Sequence, residues 1–182
     1  MNELLFDNDV KIASDKPSRD FKKNDDFVNQ KSPDKQAIKN AKDWGKFVAQ
    51  KFIEDSKEAD QTEKESDGEM LIQRRMLLSF TATVGFEQLC NDDALSGVAQ
   101  KSFLDTLKQC DSELYRTSSD TGAFSFYYLA FRRGGEVDRR IGQTFAMLCS
   151  HDGDPIYQEL GEALYCWFLS EVKKGATKFG LI

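Results

Sequence analysis

The sequence predicts an all-α protein: a bundle of about five helices over residues 69–182, an amphipathic helix over 33–57, and an extended arm before it. Two observations carry this prediction. Apolar residues after Gly68 recur at helical spacing between recognisable helix caps, and charged residues are much denser before Gly68 than after it. A chain of 182 residues is long enough for one ordinary hydrophobic core, which the part after Gly68 can supply.

The first 31 residues predict an extended or flexible arm. Short apolar groups such as Leu4–Phe6 and Phe27-Val28 are separated by Asp, Asn, Lys and Ser, so the segment cannot bury a core of its own. Residues 5–6 and 10–12 could pair as a small hairpin, or the arm could lie along the main domain.

A helix over 33–57 is predicted by Ser32 as N-cap and Pro33 at the first helical position. Its apolar residues fall on one face and its lysines on the other, so the helix either packs on its own core or binds an acidic partner or an anionic membrane surface. The candidate partner-binding residues are Lys35, Lys39, Lys42, Lys46, Trp44, Phe47 and Phe52. The acidic stretch after Glu54 predicts a linker or a frayed helix end.

Five further helices are predicted. Apolar residues surround the helix over 69–91, which is typical of a central, buried helix. The most regular amphipathic pattern follows, and then an aromatic helix, expected at the centre of the fold, that ends at Gly134-Gly135. The helix after it, which contains Met147, is apolar over so much of its surface that it is also expected to be part of the core. Asp154 as N-cap and Pro155 begin a last helix that should end near Lys174, with Gly175 behind it. The other four predicted helices cover 94–116, 123–133, 136–150 and 155–174.

The cysteines and the histidine predict neither a metal site nor a cofactor. Cys90, Cys110, Cys149 and Cys166 are widely spaced within apolar helical patterns, which suits reduced core thiols better than disulfides or zinc ligands. His151 is the only histidine of the chain, so a site built from several histidines is excluded.

The sharpest local feature is a group of four arginines around one glycine turn: Arg132, Arg133, Arg139 and Arg140. Guanidinium groups bind phosphate and carboxylate in bidentate geometry, so these side chains are the candidate anion-binding residues. Alternatively, they neutralise the end of one helix and pair with nearby acids in solvent.

The leading functional prediction is a non-catalytic interaction or regulatory protein, soluble and cytoplasmic, with a protein as partner. Two alternatives are that the arginines bind nucleic acid or that they bind a small anion. The net charge of −6 disfavours nucleic acid. No transmembrane segment or secretion signal is predicted. A third alternative is an enzyme that uses Glu159 and Glu162, or His151, for proton transfer.

Overall fold

The computed structural model describes residues 34–62, 68–119 and 121–182, and in these ranges it contains seven helices and no strand. The predicted all-α class is therefore confirmed. The predicted arm over 1–31 and part of the acidic stretch lie outside the described residues. The helices are α1 (Lys35–Thr62), α2 (Gly68–Leu89), α3 (Asp93–Cys110), α4 (Ser112–Ser118), α5 (Thr121–Arg132), α6 (Val137–Leu148) and α7 (Pro155–Lys178).

Helix α2 lies at the centre of the fold, as its uniformly apolar sequence predicts. It contacts each of the other helices that the structure describes. Side chains on all its faces are buried, including Leu77, Phe80 and Phe86, none of which is exposed to solvent. A helix that is apolar all round can satisfy its surface only by being enclosed in this way.

Helix α1 packs on the core through Trp44. Its indole is fully buried, meets the Phe86 ring edge-on at 4.7 Å, and donates a hydrogen bond from Nε1 to the Val172 carbonyl of α7 at 2.9 Å. On its other side α1 crosses α3 at Gly45, and the Ser102 hydroxyl of α3 donates to the Lys42 carbonyl at 2.8 Å. Residues 32–182 thus form one compact unit that includes α1.

The end of α1 extends beyond the expected boundary near Lys57. The helix continues to Thr62, and arginines of α2 bind acidic side chains in its last part. Arg74 pairs with Asp55, and Arg75 pairs with Asp60, each at 2.6 Å. The beginning of the predicted acidic linker is therefore part of a helix that is joined to the central one.

The helix predicted over 94–116 is interrupted at Asp111, so residues 68–182 contain six helices. Asp111 has an extended backbone, and its carboxylate accepts hydrogen bonds from the backbone N–H groups of Glu113 and Leu114. The same residue ends α3 and caps α4. Asp is among the residues that most favour an N-cap position. The apolar spacing of the sequence continues past Asp111, so it does not reveal the break.

The last helix passes through Gly175 instead of ending before it. Gly175 is buried against Trp44 and Phe47, where a side chain would not fit. The helix ends at Lys178, two residues before Gly180, which has a φ of 66°. The N–H of Gly180 donates to the Thr177 carbonyl, and that of Leu181 to the Ala176 carbonyl, which together make a Schellman motif.

Helix α5 attaches to the core through aromatic contacts with Phe80 of α2. Four aromatic rings of α5 lie with centroids 5.1 to 6.2 Å from that of Phe80, and Tyr127 among them is fully buried and stacked on it. The contacting residues are Phe124, Tyr127, Tyr128 and Phe131. The opposite face of α5 remains exposed, although its sequence is strongly apolar.

The expectation that all four cysteines are core thiols is correct for two of them. Cys90 and Cys149 are buried, whereas Cys110 and Cys166 are exposed. All four lie in the described residues and none forms a disulfide. Cys110 is exposed because the break at Asp111 ends the amphipathic helix there.

The contact between α1 and α3 should be sensitive to a single methyl group. In Gly45→Ala, the added carbon would overlap the Ala99 carbonyl oxygen and lie 2.9 Å from Cβ of Ser102. We expect the free energy of unfolding to fall by about 2 kcal/mol, measured by urea denaturation. The control is Gly97→Ala on α3, where nothing lies within 4 Å, and which should raise stability by about 0.5 to 1 kcal/mol. Equal effects of the two substitutions would contradict this packing.

The two tryptophans should differ sharply in their contribution to stability. Trp44→Phe removes the hydrogen bond to Val172 and leaves a void in the core, so we expect a loss of about 2 to 3 kcal/mol. Trp167 is 40% exposed, and Trp167→Phe should change stability by less than about 0.5 kcal/mol. Thermal and urea denaturation monitored by circular dichroism measure both. A stable Trp44→Phe variant would mean that α1 does not depend on this anchor.

Candidate functional site

Helices α5 and α6 enclose a groove that we call the α5–α6 groove, with a cavity of about 290 Å³. The two helices are joined by Gly134 and Gly135, whose φ values of 64° and 66° turn the chain sharply between them. Residues of both helices line the groove, together with Arg133 of the turn between them and Asp152 of the loop after α6. They are Phe126, Leu129, Ala130, Arg133, Arg140, Gln143, Thr144, Met147 and Asp152.

The four predicted anion-binding arginines separate into two pairs. Arg133 and Arg140 both line the groove. Arg139 points elsewhere, since its Nη1 bonds Glu136 at 3.1 Å, and Arg132 lies 6.0 Å from the centroid of the Tyr128 ring. The structure therefore brings together two of the four candidates, and the other two have partners of their own.

Arg140 carries the strongest polar signal in the groove. Its Nε donates to the Ala130 carbonyl at 3.2 Å, which fixes the guanidinium between α5 and α6. Its Nη2 is buried and has no hydrogen-bond partner among the described residues. A guanidinium nitrogen that is shielded from water and unpaired is costly, and a carboxylate or phosphate oxygen would satisfy it.

The apolar rim of the groove is the part that sequence reasoning missed. Phe126, Leu129 and Met147 were expected to be core residues, but their exposed fractions are 49%, 59% and 41%. They are exposed because α5 and α6 lie at the edge of the bundle and only one face of each meets the core. One feature of the sequence could have revealed these exposed residues: α5 has more apolar positions than one buried face can hold.

The predicted partner-binding helix α1 has its apolar face occupied by the protein itself. Trp44 and Phe52 are fully buried, and Phe47 lies half-buried against Phe179 with ring centroids 6.2 Å apart. The lysines are exposed: Lys35 and Lys39 lie in the first turns, and Lys42 and Lys46 line a cavity of about 550 Å³ between α1 and α3.

The residues proposed for proton transfer lie apart from both cavities. His151 stacks on the Tyr157 ring, with centroids 3.8 Å apart, and its Nδ1 is 4.0 Å from an oxygen of Asp154. Glu159 is exposed and Glu162 is half-buried on α7. None of the three lines the α5–α6 groove or the α1–α3 cavity. Within the described ranges, no group of three His, Cys, Asp or Glu side chains could hold a metal ion.

The fold and the groove together define an all-α protein with an edge site that combines apolar side chains and guanidiniums. Comparison of the chain with protein-family models, curated proteins and solved structures finds no match. Among the helices that the structure describes, none has both the length and the apolar character needed to cross a bilayer.

The phenol of Tyr127, beside the groove on α5, should make stability depend on alkaline pH. Burial raises the pKa of Tyr127 above its ordinary value of about 10, with a smaller contribution from Cys149. The folded state therefore keeps this proton while the unfolded state loses it. The contribution of this proton to the free energy of unfolding is complete below about pH 10. Above that pH the free energy of unfolding falls by about 1.4 kcal/mol per pH unit.

Tyr127→Phe should remove this pH dependence, as measured by urea denaturation between neutral pH and pH values above that of free tyrosine. At neutral pH the variant should be as stable as the wild type or more so, because the Tyr127 hydroxyl is buried without a partner among the described residues. Parallel stability curves of variant and wild type above about pH 10 would contradict the assignment.

Proposed function

We propose that the protein is a non-catalytic interaction module that binds an acidic segment of a partner protein in the α5–α6 groove. One observation carries the proposal. Three exposed apolar side chains and two guanidiniums line the same groove, and one guanidinium nitrogen is buried without a partner among the described residues. Carboxylates flanked by apolar side chains complement this surface in both charge and hydrophobicity.

The size of the groove favours side chains of a peptide over a whole small molecule. A cavity of about 290 Å³ lies at the lower limit of those that enclose a drug-sized ligand. It has room for one or two side chains, while Phe126 and Leu129 on the rim provide apolar area for the rest of the segment. Burying one such side chain contributes about 1.5 to 3 kcal/mol.

The charges of the groove restrict the partner further. Arg140 is held in place by the Ala130 carbonyl, so little conformational entropy is lost when it binds a carboxylate. Asp152 also lines the groove and would repel a second acidic group nearby. We therefore expect a segment with one or two acidic residues next to apolar ones, not a long acidic tract.

The other functional alternatives have less support. Nucleic acid would require several cations on one surface, but Arg139 is paired with Glu136 and the chain carries a net charge of −6. A small anion at Arg140 remains an alternative with the same chemistry, and inorganic phosphate is the probe for it. The enzymatic alternative needs a concave site around Glu159, Glu162 or His151, and neither the groove nor the α1–α3 cavity supplies one.

The experiment is photo-crosslinking of the full chain with a photoreactive phenylalanine analogue at Leu129, in cells that naturally contain the protein. The control carries the same analogue at Ile156, which is 73% exposed and outside the groove. The crosslinked peptide should contain Asp or Glu next to apolar residues. A crosslink to peptides of no common chemistry, or equal crosslinking from both positions, would contradict the proposal.

Binding of that peptide, synthesised with a fluorescent label, should depend on the groove side chains. We expect Leu129→Asp and Arg133→Glu each to weaken binding by about tenfold or more, measured by fluorescence anisotropy. The matched controls are Ile156→Asp and Arg132→Glu, which change exposed side chains outside the groove and should leave affinity unchanged. A peptide without acidic residues tests the small-anion alternative. If millimolar inorganic phosphate competes with this peptide and abolishes its binding, the small-anion alternative is favoured.

A further inference from the structure

A second cavity, of about 480 Å³, lies among α2, α3, α5 and the end of α4, away from the α5–α6 groove. We call it the hydroxyl cavity, because six of the nine described residues that line it carry a hydroxyl group and none carries a charge. The lining consists of Ser79, Thr83, Gln100, Leu104, Ser118, Ser119, Phe124, Ser125 and Tyr128.

Ser118 provides the observation that points to a ligand. Its residue is only 5% exposed, and its Oγ is buried with no hydrogen-bond partner among the described residues. By contrast, Thr83 donates to the Ser79 carbonyl, and Ser119 donates to the Tyr115 carbonyl. A buried hydroxyl without a partner lowers stability, and because Ser118 is one of the residues that line the cavity, we expect a ligand there to be the group that satisfies it.

Part of the lining of the hydroxyl cavity is aromatic and packs on the core. Phe124 and Tyr128 lie one turn apart on α5, and both rings meet the buried Phe80 edge-on, at 5.9 and 5.1 Å. Burial raises the pKa of Tyr128, and its neutral phenol can donate a hydrogen bond. The lining therefore combines two aromatic rings with hydroxyl and amide groups.

This arrangement selects the chemistry of the ligand. A charged ligand would lose its hydration without gaining a counter-charge from the described lining. A purely apolar ligand would leave Ser118 unsatisfied. Hydroxyl and amide side chains both donate and accept, which suits a ligand with several hydroxyl groups, and the aromatic wall suits a ring with an exposed C–H face.

We propose that the hydroxyl cavity binds a small neutral molecule rich in hydroxyl groups, of the sugar or cyclic polyol class, with one of its hydroxyls paired to Ser118. The cavity volume is within the range of small-molecule sites. This site is independent of peptide binding in the α5–α6 groove, so either proposal can fail without the other.

The test is ligand-observed saturation-transfer NMR on the full chain, with D-glucose, N-acetylglucosamine and myo-inositol as millimolar probes. We expect saturation of at least one of them. Glucose 6-phosphate and cyclohexanol, which add a charge or remove most hydroxyls, should bind at least about tenfold more weakly than that probe. Absence of transfer to all three neutral probes, or equal binding of glucose 6-phosphate, would overturn the proposal.

Ser118→Ala tests the contact itself, with Ser56→Ala as its control. Ser56 is 3% exposed, and its Oγ is also buried without a described partner, but it does not line the hydroxyl cavity. Without ligand, both variants should melt at or above the wild-type temperature, because each loses an unsatisfied hydroxyl. Only Ser118→Ala should weaken probe binding, by about five- to tenfold. Equal binding losses in the two variants would mean that Ser118 does not contact the ligand.

Discussion

The contact of Trp44 with Val172 and Gly175 determines where α1 lies, and with it the boundary of the folded unit. The indole fits against α7 because Gly175 has no side chain, and its N–H is satisfied by the Val172 carbonyl at 2.9 Å. One residue later, Gly45 lets the other side of α1 approach the backbone of α3. These contacts hold α1 against two helices at once, so its apolar face belongs to the core and its lysines remain in solvent.

Local chemistry predicted the start of α7, whereas the predicted helix ends were wrong where contacts with distant residues decide them. Asp154 caps α7 through a bond to Ile156 two residues away, which a sequence reveals. Gly175 was expected as a helix end, but its role depends on Trp44, whose indole bonds a residue 128 positions away. The end of α1 likewise depends on arginines 15 and 19 residues further along the chain. Apolar spacing carries no information about such partners.

The candidate site shows the same limit. The sequence identified four clustered arginines but not which of them converge, because that depends on how the turn at Gly134 and Gly135 rotates α6 against α5. It also predicted a core position for Leu129, since apolar residues of a helix are usually buried. Helix α5 has an apolar surface wider than its contact with Phe80 and α6, and the excess remains exposed beside Arg133. The exposed apolar surface of the groove is thus a consequence of placing an apolar helix at the edge of the bundle.

Unsatisfied polar atoms mark the two proposed sites more specifically than cavity size does. The α1–α3 cavity is larger than either site, but its lining includes exposed lysines that water can solvate. Arg140 Nη2 and Ser118 Oγ, by contrast, are shielded from water, and each belongs to a residue that lines a cavity. Leaving such an atom unpaired costs about 1 to 3 kcal/mol, a large fraction of the stability of a small domain. Because one atom is cationic and the other neutral, the two cavities require ligands of different chemistry, and a single partner is not expected to occupy both.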